Sequence, residues 1–156
     1  ALPACDDDED KMPEEKTIVE ANASLDAAQE TADVNSDGTG TFEGVFNKET
    51  GEFTFSMTWS GLTGPPLMMH FHGPANPGVN ASVKIPITGF TEAAAGSVSG
   101  KVTVAEGDRA DLLAGRWYVN IHTEAYGPGE IRGQVIFAEG SNNGGNDGGN
   151  NGGGGY

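Results

Sequence analysis

Apolar and polar residues alternate with a period of two in one short segment after another between residues 17 and 138. Because successive side chains of a β-strand point to opposite faces, residues 53–59 (FTFSMTW) place four large apolar side chains on one face. Further strands have apolar faces made of Leu67, Met69 and Phe71; Val83, Ile85 and Ile87; Val98, Val102 and Val104; Trp117, Val119 and Ile121; and Ile131, Gly133, Val135 and Phe137. Weaker strands are predicted near 17–25 and 41–46. The pattern predicts an all-β fold.

Turn residues separate these strands, as at Gly64-Pro65-Pro66 and Gly127-Pro128-Gly129. Only residues 108–114 read as helix, and they make one or two turns. Seven or eight short strands with this spacing predict a Greek-key β-sandwich or a flattened barrel. We expect one core that contains Phe53, Phe55, Trp59, Phe71, Val119 and Ile121.

Composition divides the chain into three regions. Residues 1–16 form an acidic leader, residues 17–138 form the β domain, and residues 139–156 form a Gly/Asn-rich tail that cannot bury enough apolar area to fold alone. The chain has 23 Asp and Glu against 8 Lys and Arg, with a formal net charge of −15. This charge disfavours binding to nucleic acid or to an anionic membrane surface.

Cys5 is the one cysteine, so an intrachain disulfide is excluded. The opening residues, Ala-Leu-Pro-Ala before Cys5, resemble the end of a lipoprotein signal peptide, and the following run of Asp and Glu resembles a surface spacer. The alternative is a processed N-terminus with a single unmodified cysteine. No apolar run approaches the ~18 residues that span a bilayer. We therefore expect an exported protein whose only membrane attachment would be a lipid on Cys5.

The three histidines of the chain lie in two of the predicted strands. His70 and His72 are two residues apart and leave the same face of their strand, and His122 has an equivalent position in the strand 117–123. If the strands are neighbours, the three imidazoles converge. The same face would also carry Met68, Tyr118 and Asn120.

Three imidazoles suit copper, zinc or nickel, and the thioether of Met68 favours copper. The alternative is a hydrogen-bonded polar strand face, with His122 capping a loop. A copper ion held by His70, His72 and His122, with Met68 as an additional ligand, is the site that the sequence favours.

Four sequence blocks resemble the CHRD (chordin-type) domain family. Residues 69–75 (MHFHGPA) resemble its HxHxG strand and turn, and residues 118–123 (YVNIHT) followed by 129–134 (GEIRGQ) resemble its second block. Residues 61–64 (GLTG) fit its midpoint, and the resemblance extends over about residues 23–138. It implies an immunoglobulin-like sandwich, found in extracellular proteins of bacteria, archaea and animals, and no established activity. The recurring histidines of the family correspond here to His70, His72 and His122.

An HxH strand in a β-sandwich also resembles copper/zinc superoxide dismutase. That enzyme needs further histidines to bridge its two metals, and this chain has no others. A redox enzyme of this type is therefore a remote alternative.

Glu130 and Arg132 lie two residues apart and share a predicted strand face. They are interpreted either as a pair that, with Asn120, orients the ligands around His122, or as a salt bridge at the start of a strand, worth about 1 kcal/mol or less if exposed.

Asp33, Asn35 and Asp37 precede Gly38 in the first half of a calcium-loop pattern, D-x-N-x-D-G. The acidic residue expected at the twelfth position is replaced by Gly44. The segment is interpreted as a calcium loop or as an Asx-rich turn.

No pairing of a nucleophile with a base stands out, so we expect a protein that is not an enzyme. Two classes of function remain. One is an extracellular or cell-surface binding module that holds a metal. The other is a subunit of a self-assembling filament, in which a terminal segment such as residues 17–19 is added as a strand to the sheet of a neighbouring copy.

Overall fold

The computed structural model describes residues 16–138. The predictions for the acidic run, for Cys5 and for the Gly/Asn tail lie outside these residues. The strands are β1 Ile18–Asp26, β2 Thr39–Asn47, β3 Glu52–Ser60, β4 Pro66–His72, β5 Val83–Ile87, β6 Gly96–Thr103, β7 Tyr118–Thr123, β8 Ile131–Gln134 and β9 Ile136–Phe137. One α-helix, α1 Arg109–Leu113, follows the 3-10 turn Glu106–Asp108, as the sequence predicted, and a second 3-10 turn spans Ala27–Gln29.

The strands follow the hydrogen-bonded order β5-β4-β7-β8-β1-β2-β3-β6, with β9 beside β1, and every described pair is antiparallel. β8 and β1 share only the pair Arg132 and Asp26, which joins the two halves of this path. The halves pack face to face, since the ring of Phe71 in β4 lies 5.7 Å from that of Phe42 and 5.2 Å from that of Phe55. The fold is thus an all-β sandwich, as predicted.

The space between the two layers holds one apolar core. All six residues expected there are buried in the same cluster: Phe53, Phe55, Trp59, Phe71, Val119 and Ile121. Phe42 and Phe46 add further edge-to-face ring contacts, for which the weaker strand near 41–46 provided the signal.

Two apolar side chains expected in the core are exposed instead. Leu67 is 56 % exposed, because the pairing register of β4 with β7 shifts between Pro66 and Met68 and turns this side chain outward. Val83, the first residue of β5, is 47 % exposed. Simple alternation therefore fails at the two ends of this pair of strands.

The terminal segment proposed for strand exchange is used within the chain itself. Ile18 and Val19 pair with Asn47 and Phe46 in β2, and Val19 is buried in the core. Residues 17–19 therefore lie beside β2 of their own chain, and their exchange into a neighbour's sheet stays a prediction.

β7 is buried on both faces. Its apolar face, with Val119 and Ile121, meets the core. Its polar face, with Tyr118, Asn120 and His122, was expected to be a non-core face but is at most 7 % exposed. Buried polar groups of this kind require partners, and these partners form the candidate site.

Candidate metal centre

The pairing of β4 with β7 brings the three histidines together. In the register, Met68 lies opposite His122, His70 lies opposite Asn120, and His72 lies opposite Tyr118. The predicted adjacency of the two histidine-bearing strands is therefore confirmed.

The imidazoles form a tight cluster. One ring nitrogen from each of His70, His72 and His122 lies within 4.8 Å of the others, and among residues 16–138 this is the only group of three such side chains arranged closely enough to hold a metal. His70 Nδ1 lies 3.1 Å from His122 Nε2. Because each Zn–N or similar bond measures about 2.0–2.1 Å, two imidazole nitrogens on one ion lie roughly 3 Å apart. This pair has the spacing of two ligands and is joined here by a hydrogen bond from His70 to His122, whereas His72 stands further away.

His122 is oriented by the backbone of the loop that follows β7. Its Nδ1 lies 2.7 Å from the carbonyl oxygen of Gly127. A carbonyl only accepts, so Nδ1 carries the hydrogen and donates it. The lone pair is then on Nε2, the atom that faces His70, which is the second-sphere arrangement that metal-binding histidines commonly have.

His72 is held on two sides. Its Nδ1 donates to the carbonyl oxygen of Ala81 over 3.0 Å, and its ring stacks on that of Tyr118 with a centroid distance of 4.7 Å and an interplanar angle of 5°. Tyr118 also contacts the guanidinium of Arg132, whose carbon lies 3.5 Å from the ring centre. Stacking and hydrogen bonding therefore both hold the His72 ring in this position.

Asn120 lies at the centre of the polar face of β7 and is 3 % exposed. Its Oδ1 lies 3.0 Å from His72 Nε2, and its Nδ2 donates to Glu30 Oε2 over 3.5 Å. Of the three residues predicted to orient the ligands, Asn120 is the one that contacts a histidine directly.

Glu130 and Arg132 do not form the salt bridge that was one of the two interpretations of the sequence. The described ion pairs are Lys84 with Asp108, Lys101 with Glu52, and Arg116 with Asp111. Arg132 is 1 % exposed and donates to the carbonyl oxygen of Val79 over 2.8 Å and to Asn80 Oδ1 over 3.3 Å. The side chains of Glu130 and Arg132 point to different segments of the chain.

Glu130 instead joins three segments of the domain. Its carboxylate accepts from Ser36 Oγ at 2.5 Å, Thr63 N at 2.9 Å, Thr63 Oγ1 at 2.7 Å and Thr123 Oγ1 at 2.6 Å. Burial alone would raise the pKa of this carboxyl, but the hydrogen bonds outweigh burial and hold the pKa below its ordinary value. Glu130 stabilises the end of β7 beside His122 without touching the imidazole.

The electrostatics of the cluster favour neutral imidazoles. Burial lowers the pKa of His70, and the nearby His122 and His72 lower it further. Burial also lowers the pKa of His72; the hydrogen bonds to Ala81 and Asn120 oppose this change, and the charges of His122 and Arg132 reinforce it. Neutral imidazole is the form that binds metal ions.

Met68 is 46 % exposed and lies opposite His122 in the strand register. Its position next to the cluster agrees with the predicted face. His70 is the least buried of the three histidines, so the cluster opens to solvent on the side of β4.

The predicted calcium residues are exposed and are not part of a cluster of acidic side chains in the described region. Their segment is fixed differently: Tyr126 Oη donates to the carbonyl oxygen of Asn35 over 3.0 Å and accepts from its N–H over 3.3 Å. Ser36 accepts from Gly38 N–H and donates to Glu130. Tyr126 and Glu130 therefore hold this segment through the backbone of Asn35 and the side chain of Ser36.

Sequence reasoning missed the backbone partners of the histidines and the role of Glu30. Carbonyl oxygens such as those of Ala81 and Gly127 have no side-chain signature. Glu30 lies next to Asn120, and burial raises its pKa to about 7 although Asn120 and Arg132 act in the opposite direction. A single glutamate after an apolar strand carries no signal for this environment.

A family model named CHRD domain matches residues 21–135, and the chain belongs to that family. Comparison with curated proteins and with solved structures finds no significant match. No helix within residues 16–138 has the length and apolar character that a membrane span requires.

Proposed function

We propose that this protein is an extracellular or cell-surface CHRD module that holds one transition-metal ion, with copper favoured, through His70, His72 and His122. The observation that carries the proposal is the convergence of three imidazole nitrogens within 4.8 Å, two of them already 3.1 Å apart. Their carbonyl partners leave a lone pair of His122 facing the cluster, as a ligand requires.

Copper is favoured over zinc for two reasons. Intrinsic affinity of nitrogen donors for divalent metals is greatest for copper, and the thioether of Met68 beside His122 is a soft donor that suits copper further. Hard cations such as calcium prefer oxygen ligands, which the cluster does not supply. All three histidines serve one site, so the proposal is that the ion is held and does not take part in efficient catalysis.

Copper titration of purified protein tests the proposal. Wild type should bind one equivalent, and both His122→Ala and the double variant His70→Ala/His72→Ala should lose most of this affinity while circular dichroism shows that they remain folded. Glu43→Gln, on the exposed face of β2, is the control for weak binding by surface carboxylates. Copper binding at full strength in both histidine variants would overturn the proposal.

Assembly into a filament is the second candidate. β6 lies at the end of the strand order and pairs only with β3 among the described strands, so its outer edge could receive a strand. The donor would be a terminal segment of a second copy, such as residues 17–19 released from their pairing with β2. Sedimentation and electron microscopy test this candidate, and a monomer at high concentration would contradict it.

Two further expectations concern residues that the site does not use. Attachment through a lipid on Cys5 would place the module at a membrane surface, and mass spectrometry of the native protein tests it. Calcium binding at Asp33, Asn35 and Asp37 stays a prediction that calcium titration tests.

A further inference from the structure

Both ring nitrogens of His72 have a hydrogen-bond partner in the cluster. Nδ1 lies 3.0 Å from the carbonyl oxygen of Ala81, and Nε2 lies 3.0 Å from Asn120 Oδ1. Because the carbonyl can only accept, Nδ1 carries a hydrogen, and Nε2 is the only nitrogen with which His72 can bind an ion. That nitrogen faces the amide of Asn120.

The contact blocks Nε2 in either orientation of the amide. Nδ1 already carries a hydrogen, so in the neutral imidazole that the cluster favours, Nε2 has no hydrogen and accepts from the amide nitrogen; only the imidazolium would donate from Nε2 to the amide oxygen. In both cases its lone pair becomes available to an ion only when the hydrogen bond to Asn120 breaks. His70 and His122 engage each other in a similar way: His122 Nε2 carries no hydrogen and accepts from His70 Nδ1–H over 3.1 Å, so this contact too must break when an ion binds.

The ring of His72 does not depend on Asn120 for its orientation. Stacking on Tyr118 and the hydrogen bond to Ala81 hold it independently. The amide has a second partner in Glu30, and the space beside its Nδ2 is left open by Gly129, where a Cβ would lie only 2.8 Å from that atom. Asn120 can therefore release His72 without disturbing the ring.

We propose that Asn120 is a positioning residue that competes with the metal for His72: it occupies Nε2 in the empty site and yields it when an ion binds. This inference rests on the proposed metal site. An ion bound by all three histidines displaces two contacts, the hydrogen bond between His70 and His122 and the contact of His72 with Asn120, and only the second involves a residue that is not itself a ligand. The amide thus lowers the affinity of the site for the metal ion, and metal binding depends on the movement of the Asn120 side chain away from His72.

Copper titration of Asn120→Ala against a competing chelator tests this competition. Losing a hydrogen bond worth about 0.5–1.5 kcal/mol to the empty state should raise copper affinity by about 2- to 10-fold. The matched control is Asn22→Ala, the same change at an exposed position of β1, which should leave the affinity unchanged. A purely structural role for Asn120 predicts the opposite sign, so unchanged or weaker binding in the folded variant would overturn the inference.

If Asn120→Ala does not fold, a measurement on the wild-type protein tests the same inference. In NMR spectra of the whole protein titrated with diamagnetic zinc, the side-chain amide signals of Asn120 should shift together with His72 Nε2. Amide signals that stay in place while the Nε2 signal of His72 moves would also overturn the inference. Loss of metal binding in His122→Ala together with no effect of Asn120→Ala would reject the competition and leave the metal site standing. A wild type that binds no metal would reject both.

Discussion

His70 Nδ1 and His122 Nε2 lie 3.1 Å apart, although 52 positions separate the two residues in the chain. The antiparallel pairing of β4 with β7 sets this distance, and the carbonyl of Gly127 decides which nitrogen of His122 takes part. This arrangement affects the pH dependence of copper binding, the stability of the metal-free protein and the set of ligands around a bound ion.

Copper binding should persist to lower pH than free histidine would allow. The pKa values of His70 and His72 lie below the ordinary value of 6.5, so these side chains stay neutral until the pH falls below that value. Affinity measured across a pH series should therefore be flat down to about 6.5, the reference histidine value, and fall only at more acidic pH. A steep loss that is already complete at neutral pH would contradict this prediction.

The same shifts affect the stability of the metal-free protein. A histidine whose folded pKa is depressed takes up protons more readily when unfolded, so its contribution to stability is lost as the pH falls below 6.5. Denaturant unfolding should show this acid-side loss in wild type. It should be smaller in the double variant His70→Ala/His72→Ala, and an equal loss in both proteins would argue against it.

Glu30 contributes to the pH dependence of stability in the sense opposite to that of the histidines, and Glu30→Gln should remove this contribution. Burial raises the pKa of Glu30 from 4.5 to about 7 in the folded protein, so the folded state binds this proton more tightly than the unfolded state does. Wild type should lose this contribution as the pH rises from about 4.5 through 7, and Glu30→Gln should not. The variant should therefore gain stability relative to wild type as the pH rises through this interval.

Glu20→Gln, an exposed position of β1, is the matched control and should follow wild type. The pH window of the experiment includes both the unperturbed pKa of Glu30, 4.5, and its pKa in the folded protein, about 7. Parallel stability curves for wild type and Glu30→Gln across this window would show that folding does not raise the pKa of Glu30.

Glu130→Ala should be strongly destabilising. Glu130 is fully buried and accepts hydrogen bonds from Ser36, Thr63 and Thr123, whose donors would lose their partner. Thr123 is buried and Ser36 is half-buried, so losing these charge-assisted hydrogen bonds should lower the free energy of unfolding by about 2–5 kcal/mol. An exposed salt bridge would be worth about 1 kcal/mol or less, so a loss of that size in urea titration would restore the simpler interpretation. The control is Glu124→Ala, an exposed glutamate on the loop after β7.

The sequence predicted the strands, and it predicted the convergence of the histidines on the condition that their two strands are neighbours, which the pairing of β4 with β7 fulfils. Period-two alternation reports which face of a strand is apolar, and it located the strand of Phe53 and Phe55 as well as the shared face of His70 and His72. Family resemblance supplied the remaining information, namely that the strand of His122 belongs to the same module.

Features that arise from pairing between distant segments were not predictable. The outward turn of Leu67 comes from a register shift between β4 and β7, which alternation along a single strand does not encode. Glu130 looked like a partner for Arg132 because they are close in sequence, whereas its actual donors include Ser36, 94 positions away. The carbonyl groups that orient His72 and His122 belong to backbone that any residue type provides.

Spectroscopy of the copper-loaded protein tests the metal site most directly. Electron paramagnetic resonance of wild type loaded with one equivalent of Cu(II) should show coupling to three imidazole nitrogens, and His72→Ala should show two. A spectrum dominated by oxygen ligands, unchanged in His72→Ala and in His122→Ala, would place the copper elsewhere and contradict the proposed site.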